Sequence, residues 1–295
     1  MREGIHKFID HLLYGFLWLF SLQPFWLLYA KSGPLAFLLH RVFRYRRKVV
    51  ERNVRSGFPE KSNKEILRLT RFFYRYLADT VMESVKCLTI SKRPLLKRIT
   101  CQNPEVIEKY ASQKQSVILA SAHYGNWEYL IYAMNLLFSP LAIGVGKPLA
   151  NQVLNELTNA KRAKFGMKII NALTIKDFFA EHRDVITATL FLADQYPGKR
   201  GFETPFLGKP TLFAYGIEKY GKTYNYPVIY ADIYRVSRGR YSIKLIEISN
   251  NPANSEYGEI MNKYVALFKA TIIRNPEYWL WSHKRWKNIP GFYAE

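Results

Sequence analysis

Three patterns of apolar and polar positions follow one another along the 295-residue chain. The first is an uncharged apolar run over residues 12–30. The second begins near residue 63, where apolar positions recur at helical spacing through 88; Ser62 or Asn63 is its cap and Glu65 stands in its first turn. From residue 116 onward the pattern changes to short continuous apolar runs, at 116–120, 141–146, 167–171, 185–193, 227–234 and 241–248. Helical patterns at 127–138, 151–165, 175–182, 212–220 and 256–274 separate them. Strands that are apolar on both faces and alternate with helices predict an α/β fold, a mainly parallel central sheet flanked by helices. The turn-like Ser237-Arg238-Gly239-Arg240 joins the last two strands as an antiparallel hairpin at a sheet edge. The Gly- and Pro-rich run 197–210 is interrupted by Phe202, Phe206 and Leu207 and reads as an ordered active-site loop. Residues 276–286 mix aromatic with basic side chains and predict either an amphipathic helix at a membrane interface or a packed terminal helix.

A helix over 12–30 would span roughly 28 Å, about the hydrocarbon thickness of a bilayer. Gln23-Pro24 interrupts it, and Trp18, Trp26 and Tyr29 are residues of the interface, so both a crossing helix and a kinked in-plane anchor are compatible with it. No small-residue cleavage site follows, so the segment is expected to be a retained membrane anchor. Residues 1–48 are thus assigned to an anchor with its basic flank, and 49–295 to the catalytic domain. The flank carries Lys31, Arg41, Arg44, Arg46, Arg47, Lys48, Arg52 and Arg55, which by the positive-inside rule keeps the body of the protein cytoplasmic.

Charge narrows the class of partner. There are 44 Lys and Arg against 23 Asp and Glu, a net charge of +21, which calls for an anionic partner: nucleic acid, an anionic membrane, a phosphorylated lipid or an acidic carrier protein. The 21 Tyr, 19 Phe and 6 Trp favour a membrane interface, and no helix-turn-helix, finger or RNA-binding signature is present, so nucleic acid is not expected. Cys87 and Cys101 have no zinc-ligand or disulfide spacing, and neither metal nor cofactor is expected.

Candidate chemistry gathers at strand ends. His123 follows the 116–120 strand, and Asn126 caps the helix that carries Glu128 in its first turn. On one continuous helix that spacing would separate the two side chains by about 140°, whereas a loop before the cap lets Glu128 reach back to the imidazole. A carboxylate that orients His123 makes it a general base for a hydroxyl at pH 7. Asp194-Gln195 closes another strand at the edge where α/β sheets bind ligands; Lys147 and Asn151 follow a third, and Arg162 could clamp phosphate or support an oxyanion. Each also has a plain structural reading as a cap or surface residue.

Taken in order, these residues resemble the bacterial lipid A late (lauroyl and myristoyl) acyltransferases, within the lysophospholipid acyltransferase superfamily. The resemblance rests on Asn53 with Phe58-Pro59-Glu60, on His123-Tyr124-Gly125-Asn126-Trp127-Glu128, and on Lys147-Pro148-Leu149-Ala150-Asn151 leading to Arg162 and Phe165-Gly166. It continues through Asp194-Gln195, Phe206-Leu207-Gly208 and Pro276-Glu277…Trp281…Arg285-Trp286-Lys287. The glycerolipid branch instead carries Asp at the position of Glu128 and places Phe-Pro-Glu after the histidine block. Gly146-Lys147 departs from the Arg or Tyr-Arg commoner before the Pro-Leu pair. The resemblance implies a bacterial inner-membrane enzyme facing the cytoplasm, with His123 and Glu128 catalytic. It implies substrate binding by Asn126, Lys147, Asn151, Arg162, Asp194, Gln195 and Arg285. The donor it implies is an acyl carrier protein thioester and the acceptor a lipid A precursor. Another membrane-lipid acceptor, an aminolipid or glycosylated phospholipid, and a non-catalytic membrane-tethered binding protein are the alternatives.

Overall fold

A computed structural model describes residues 2–148, 151–198 and 201–293. Its elements in chain order are α1 (Arg2–Ser21), α2 (Phe25–Phe37), α3 (Arg47–Gly57), α4 (Asn63–Lys86), α5 (Lys92–Leu96), β1 (Ile99–Cys101), α6 (Glu105–Ser112), β2 (Val117–Ser121), α7 (Trp127–Leu137) and β3 (Leu141–Gly146). They continue with α8 (Gln152–Arg162), β4 (Lys168–Asn171), α9 (Ile175–Glu181), β5 (Thr187–Leu192), β6 (Phe202–Phe206), β7 (Lys209–Phe213), α10 (Gly216–Tyr224), β8 (Val228–Ser237), β9 (Arg240–Ser249) and α11 (Glu259–Arg274).

Seven strands form one sheet in the order β1-β9-β8-β2-β5-β3-β4, parallel from β8 to β4 with β9 antiparallel to β8. The continuous apolar runs have a direct cause: the central strands are covered on both faces. In β2, Ile118 and Ala120 enter one core with residues of α4, α10 and α11, whereas Val117 and Leu119 enter the other with residues of α7. The expected α/β fold with a mainly parallel sheet is therefore present. The β8–β9 hairpin lies one strand in from the edge, because the three-residue β1 pairs parallel with β9 outside it.

The N-terminal region departs from expectation. The run over 12–30 breaks at Ser21–Pro24 into α1 and α2, and among the described residues no helix is long and apolar enough to cross a membrane. Pro24 has no N–H to continue the ladder, and it starts α2 with extended backbone. The carbonyls freed at the break are taken by Lys86, whose Nζ donates to Ser21 O at 2.8 Å and Gln23 O at 2.9 Å. Further bonds fasten α2 to α4: Tyr29 Oη donates to Glu83 at 2.8 Å and Ser32 Oγ to Asp79 at 2.7 Å.

Two other segments differ. Residues 202–213 form an antiparallel ribbon, β6 with β7, so Leu212 and Phe213 belong to a strand and the helix that follows starts at Gly216. Residues 276–286 form no amphipathic helix. After a short turn at Pro276–Tyr278 the chain runs back into the core, where Trp279, Trp281 and Trp286 are buried. Its backbone bonds to the turn after β2, Leu280 N–H to His123 O at 3.1 Å and Gly125 N–H to Tyr278 O at 3.0 Å, which explains why the segment is not helical.

Candidate active site

Strand register builds the site. Ser121, at the end of β2, pairs with Leu192, at the end of β5, so two residues further on His123 and Asp194 emerge side by side at the C-terminal edge of the sheet. His123 Nδ1 lies 2.7 Å from Asp194 Oδ1, and that same oxygen accepts the His123 backbone N–H at 2.9 Å. The other carboxylate oxygen accepts Trp279 Nε1–H at 2.9 Å. Asp194 is buried, which works to raise its pKa; the His123 charge and the hydrogen bonds from His123 and Trp279 overcome this and hold it down at about 2. A carboxylate on Nδ1 fixes the tautomer with the proton on that nitrogen and leaves the Nε2 lone pair unengaged by any hydrogen bond among the described residues.

Glu128 sits elsewhere. Asn126 caps α7, its Oδ1 accepting the Tyr129 N–H at 2.8 Å, and Glu128 occupies the first turn as expected. Its carboxylate pairs not with His123 but with Arg162, Nη2 to Oε1 at 2.6 Å and Nε to Oε2 at 3.4 Å. Burial opposes ionisation of Glu128, yet the Arg162 guanidinium holds its pKa below the ordinary value. The hydrogen bond expected between Glu128 and His123 is therefore made by Asp194 instead, because the β2–β5 register brings Asp194 to Nδ1 first.

A cavity of about 640 Å³ opens in front of these groups. His123, Lys147, Arg162 and Gln195 line its polar part, while Ile131, Met167, Ile175, Leu190, Phe191 and Tyr220 are among the residues of its apolar wall. Four residues expected from sequence thus share one cavity, because β2, β5 and β3 are neighbours and their loops lie together. Five do not line it: Asp194 and Glu128, which hold His123 and Arg162, and three others. Asn126 is fully buried, with its amide spent on the cap and on Glu83; Asn151 donates to Asp10 at 2.9 Å; Arg285 is buried with its guanidinium over the Phe213 ring, 4.3 Å from the centroid. Burial lowers the Arg285 pKa to about 10. Of the run from Lys147 to Asn151, Leu149 and Ala150 lie outside the described residues.

Sequence reasoning missed Trp279 as a donor to Asp194, and it missed the pairing of Asp194 with His123. The signal for the second was the equal offset of both residues from the ends of two buried strands, readable once those strands are known to be adjacent.

A comparison with curated proteins returned no match. A profile of bacterial lipid A biosynthesis acyltransferases matches residues 3–288, nearly the whole chain. With a match of that extent, the chain belongs to the bacterial lipid A biosynthesis acyltransferase family and is an acyltransferase of the lipid A type.

Proposed function

We propose that the protein transfers a fatty acyl chain from an acyl carrier protein thioester to a hydroxyl of a lipid A precursor, without a covalent acyl-enzyme. The observation that carries this reading is His123 with Nδ1 tied to Asp194 and its ring at the mouth of a largely apolar cavity. Nε2 takes the proton of the acceptor hydroxyl as its oxygen attacks the thioester carbonyl. The tetrahedral intermediate then collapses, the C–S bond breaks, and the imidazolium returns the proton to the departing thiolate. The Arg162 guanidinium, held by Glu128, supplies positive potential at the cavity wall for the developing oxyanion. On this reading Glu128 acts through Arg162, and the acyl chain lies along Ile175, Phe191 and Tyr220.

Placement on the cytoplasmic face of the bacterial inner membrane is part of the same proposal. Phe16, Leu19, Trp26, Phe37 and Phe43 are exposed on the N-terminal helices and the turn after them, beside exposed Arg41, Arg44 and Arg46. Exposed apolar side chains interspersed in sequence with arginines suit an anionic lipid surface, and the remaining positive charge suits an acidic carrier protein.

The test is mass spectrometry of the product after incubating purified protein with acyl-carrier-protein thioester and a tetra-acylated lipid A precursor. The reading predicts a mass gain of one acyl group with release of carrier thiol. A folded protein that leaves this acceptor untouched but acylates an aminolipid or glycosylated phospholipid would replace the acceptor named here.

A further inference from the structure

Glu83, on α4, is a buried acid that the chemistry above does not use. It is fully buried, and no Lys, Arg or His hydrogen-bonds to it among the described residues. Its three donors come from three separate parts of the fold. Tyr29 Oη of α2 reaches Oε1 at 2.8 Å; Tyr241 Oη of β9 and Asn126 Nδ2 reach Oε2 at 2.9 Å and 2.5 Å. Desolvating a carboxylate is costly, and an apolar side chain would fill the same volume without that cost.

Burial pushes the Glu83 pKa up and the hydrogen bonds from Tyr29, Tyr241 and Asn126 work against this; what the side chain adds here is an oxygen, Oε2, that accepts the Asn126 amide. The Asn126 amide has a donor end and an acceptor end, and only one orientation presents Oδ1 to the Tyr129 N–H at the start of α7. Glu83 fixes that orientation by accepting Nδ2 on the far side. Asn126 stands midway between His123 and Glu128. The backbone of the same turn is held next door, where Gly125 N–H donates to Tyr278 O at 3.0 Å and Tyr76 Oη donates to Gly125 O.

We propose that Glu83 is a positioning residue for acyl transfer. By locking Asn126 it fixes the turn that sets His123 and Glu128, and through Tyr29 it joins that turn to the N-terminal helices. The proposal rests on the reading of His123 as the base.

A donor–acceptor swap tests it. Asn126→Asp keeps a good helix cap but sets two carboxylates against each other. The expected result is native circular dichroism with kcat down about 100-fold and KM within about threefold, the scale of a misplaced catalytic group. Adding Glu83→Gln supplies an N–H toward the new carboxylate, and the double variant is expected to recover to within about tenfold of wild type. Where Asn126→Asp cannot be isolated folded, Glu83→Gln against Glu83→Met makes the same decision. The amide oxygen still accepts from Asn126 and the thioether does not, so kcat falls less than about tenfold for Gln and about 100-fold for Met. A folded double variant no faster than Asn126→Asp, a loss carried by KM, or equal kcat for Gln and Met overturns the proposal. His123→Ala run alongside separates two failures. If it is as fast as wild type, the base reading falls and this proposal with it; if it is inactive while the swap has no effect, only the role of Glu83 falls.

Discussion

At the scale of single residues, the proposed mechanism turns on which carboxylate holds the imidazole, and that is Asp194. His123, Lys147, Asp194 and Gln195 were legible in the sequence as candidate residues at strand ends, and Arg162 as a cation on the helix that follows Lys147. Their pairing was not, since hydrogen-bond partners across a parallel sheet follow from strand order and register, which no local pattern encodes. Asp194 reaches His123 because Ser121 pairs with Leu192; Glu128 turns to Arg162 because the end of α8 brings that guanidinium to its carboxylate. Trp279 completes the arrangement with its N–H on the second oxygen of Asp194. Trp279→Phe removes that donor while keeping an aromatic ring at the buried site. A hydrogen bond to a charged group is worth about 1.5–3 kcal/mol, so kcat should fall by about tenfold or more at nearly unchanged KM in steady-state assays.

Among elements, the turn between β2 and α7 concentrates the constraints. Gly125 has φ +56°, and a Cβ there would lie 2.9 Å from Ile233 Cγ2. Gly125→Ala combines left-handed backbone strain with a clash and should cost about 1–3 kcal/mol of stability, read from denaturant midpoints, together with a loss of activity. The strands with continuous apolar runs were legible because they are buried on both faces, and α4 because its apolar stripe keeps helical period behind the Ser62–Glu65 capping box. β1, β6 and β7 were not: three to five residues carry too little periodicity, and β6 and β7 each contain a proline, Pro205 and Pro210, that reads as a loop signal. The terminal tryptophans misled for a related reason. An aromatic and basic stretch has the composition of an interfacial helix, but its backbone bonds to the turn after β2 bind it into the core instead.

For the molecule as a whole, the N-terminal run illustrates what hydropathy counts leave out. Nineteen uncharged residues, 12–30, are long enough to span a bilayer as one helix, but Pro24 and the Lys86 contacts divide them into two that fold back on α4. Burial inside the assembled fold also makes stability depend on pH. His283 accepts the Tyr196 N–H at 3.1 Å through Nε2, and burial, with Arg285 adding to it, lowers its pKa to about 4 against an ordinary 6.5. The unfolded chain therefore binds a proton between those values that the folded chain does not. Stability contributed by neutral His283 is complete above about pH 6.5 and is lost as pH falls toward 4. Melting temperatures of His283→Gln, which keeps an acceptor, should decline less steeply across that window than those of wild type. In the proposed mechanism this assembly makes His123 a general base oriented by Asp194. The most direct measurement is kcat for His123→Ala and Asp194→Asn beside wild type, on one acceptor at saturating donor. Losses of about 10³-fold or more in both are predicted, and retention of turnover within about tenfold in either, roughly 1.4 kcal/mol of barrier, would contradict it.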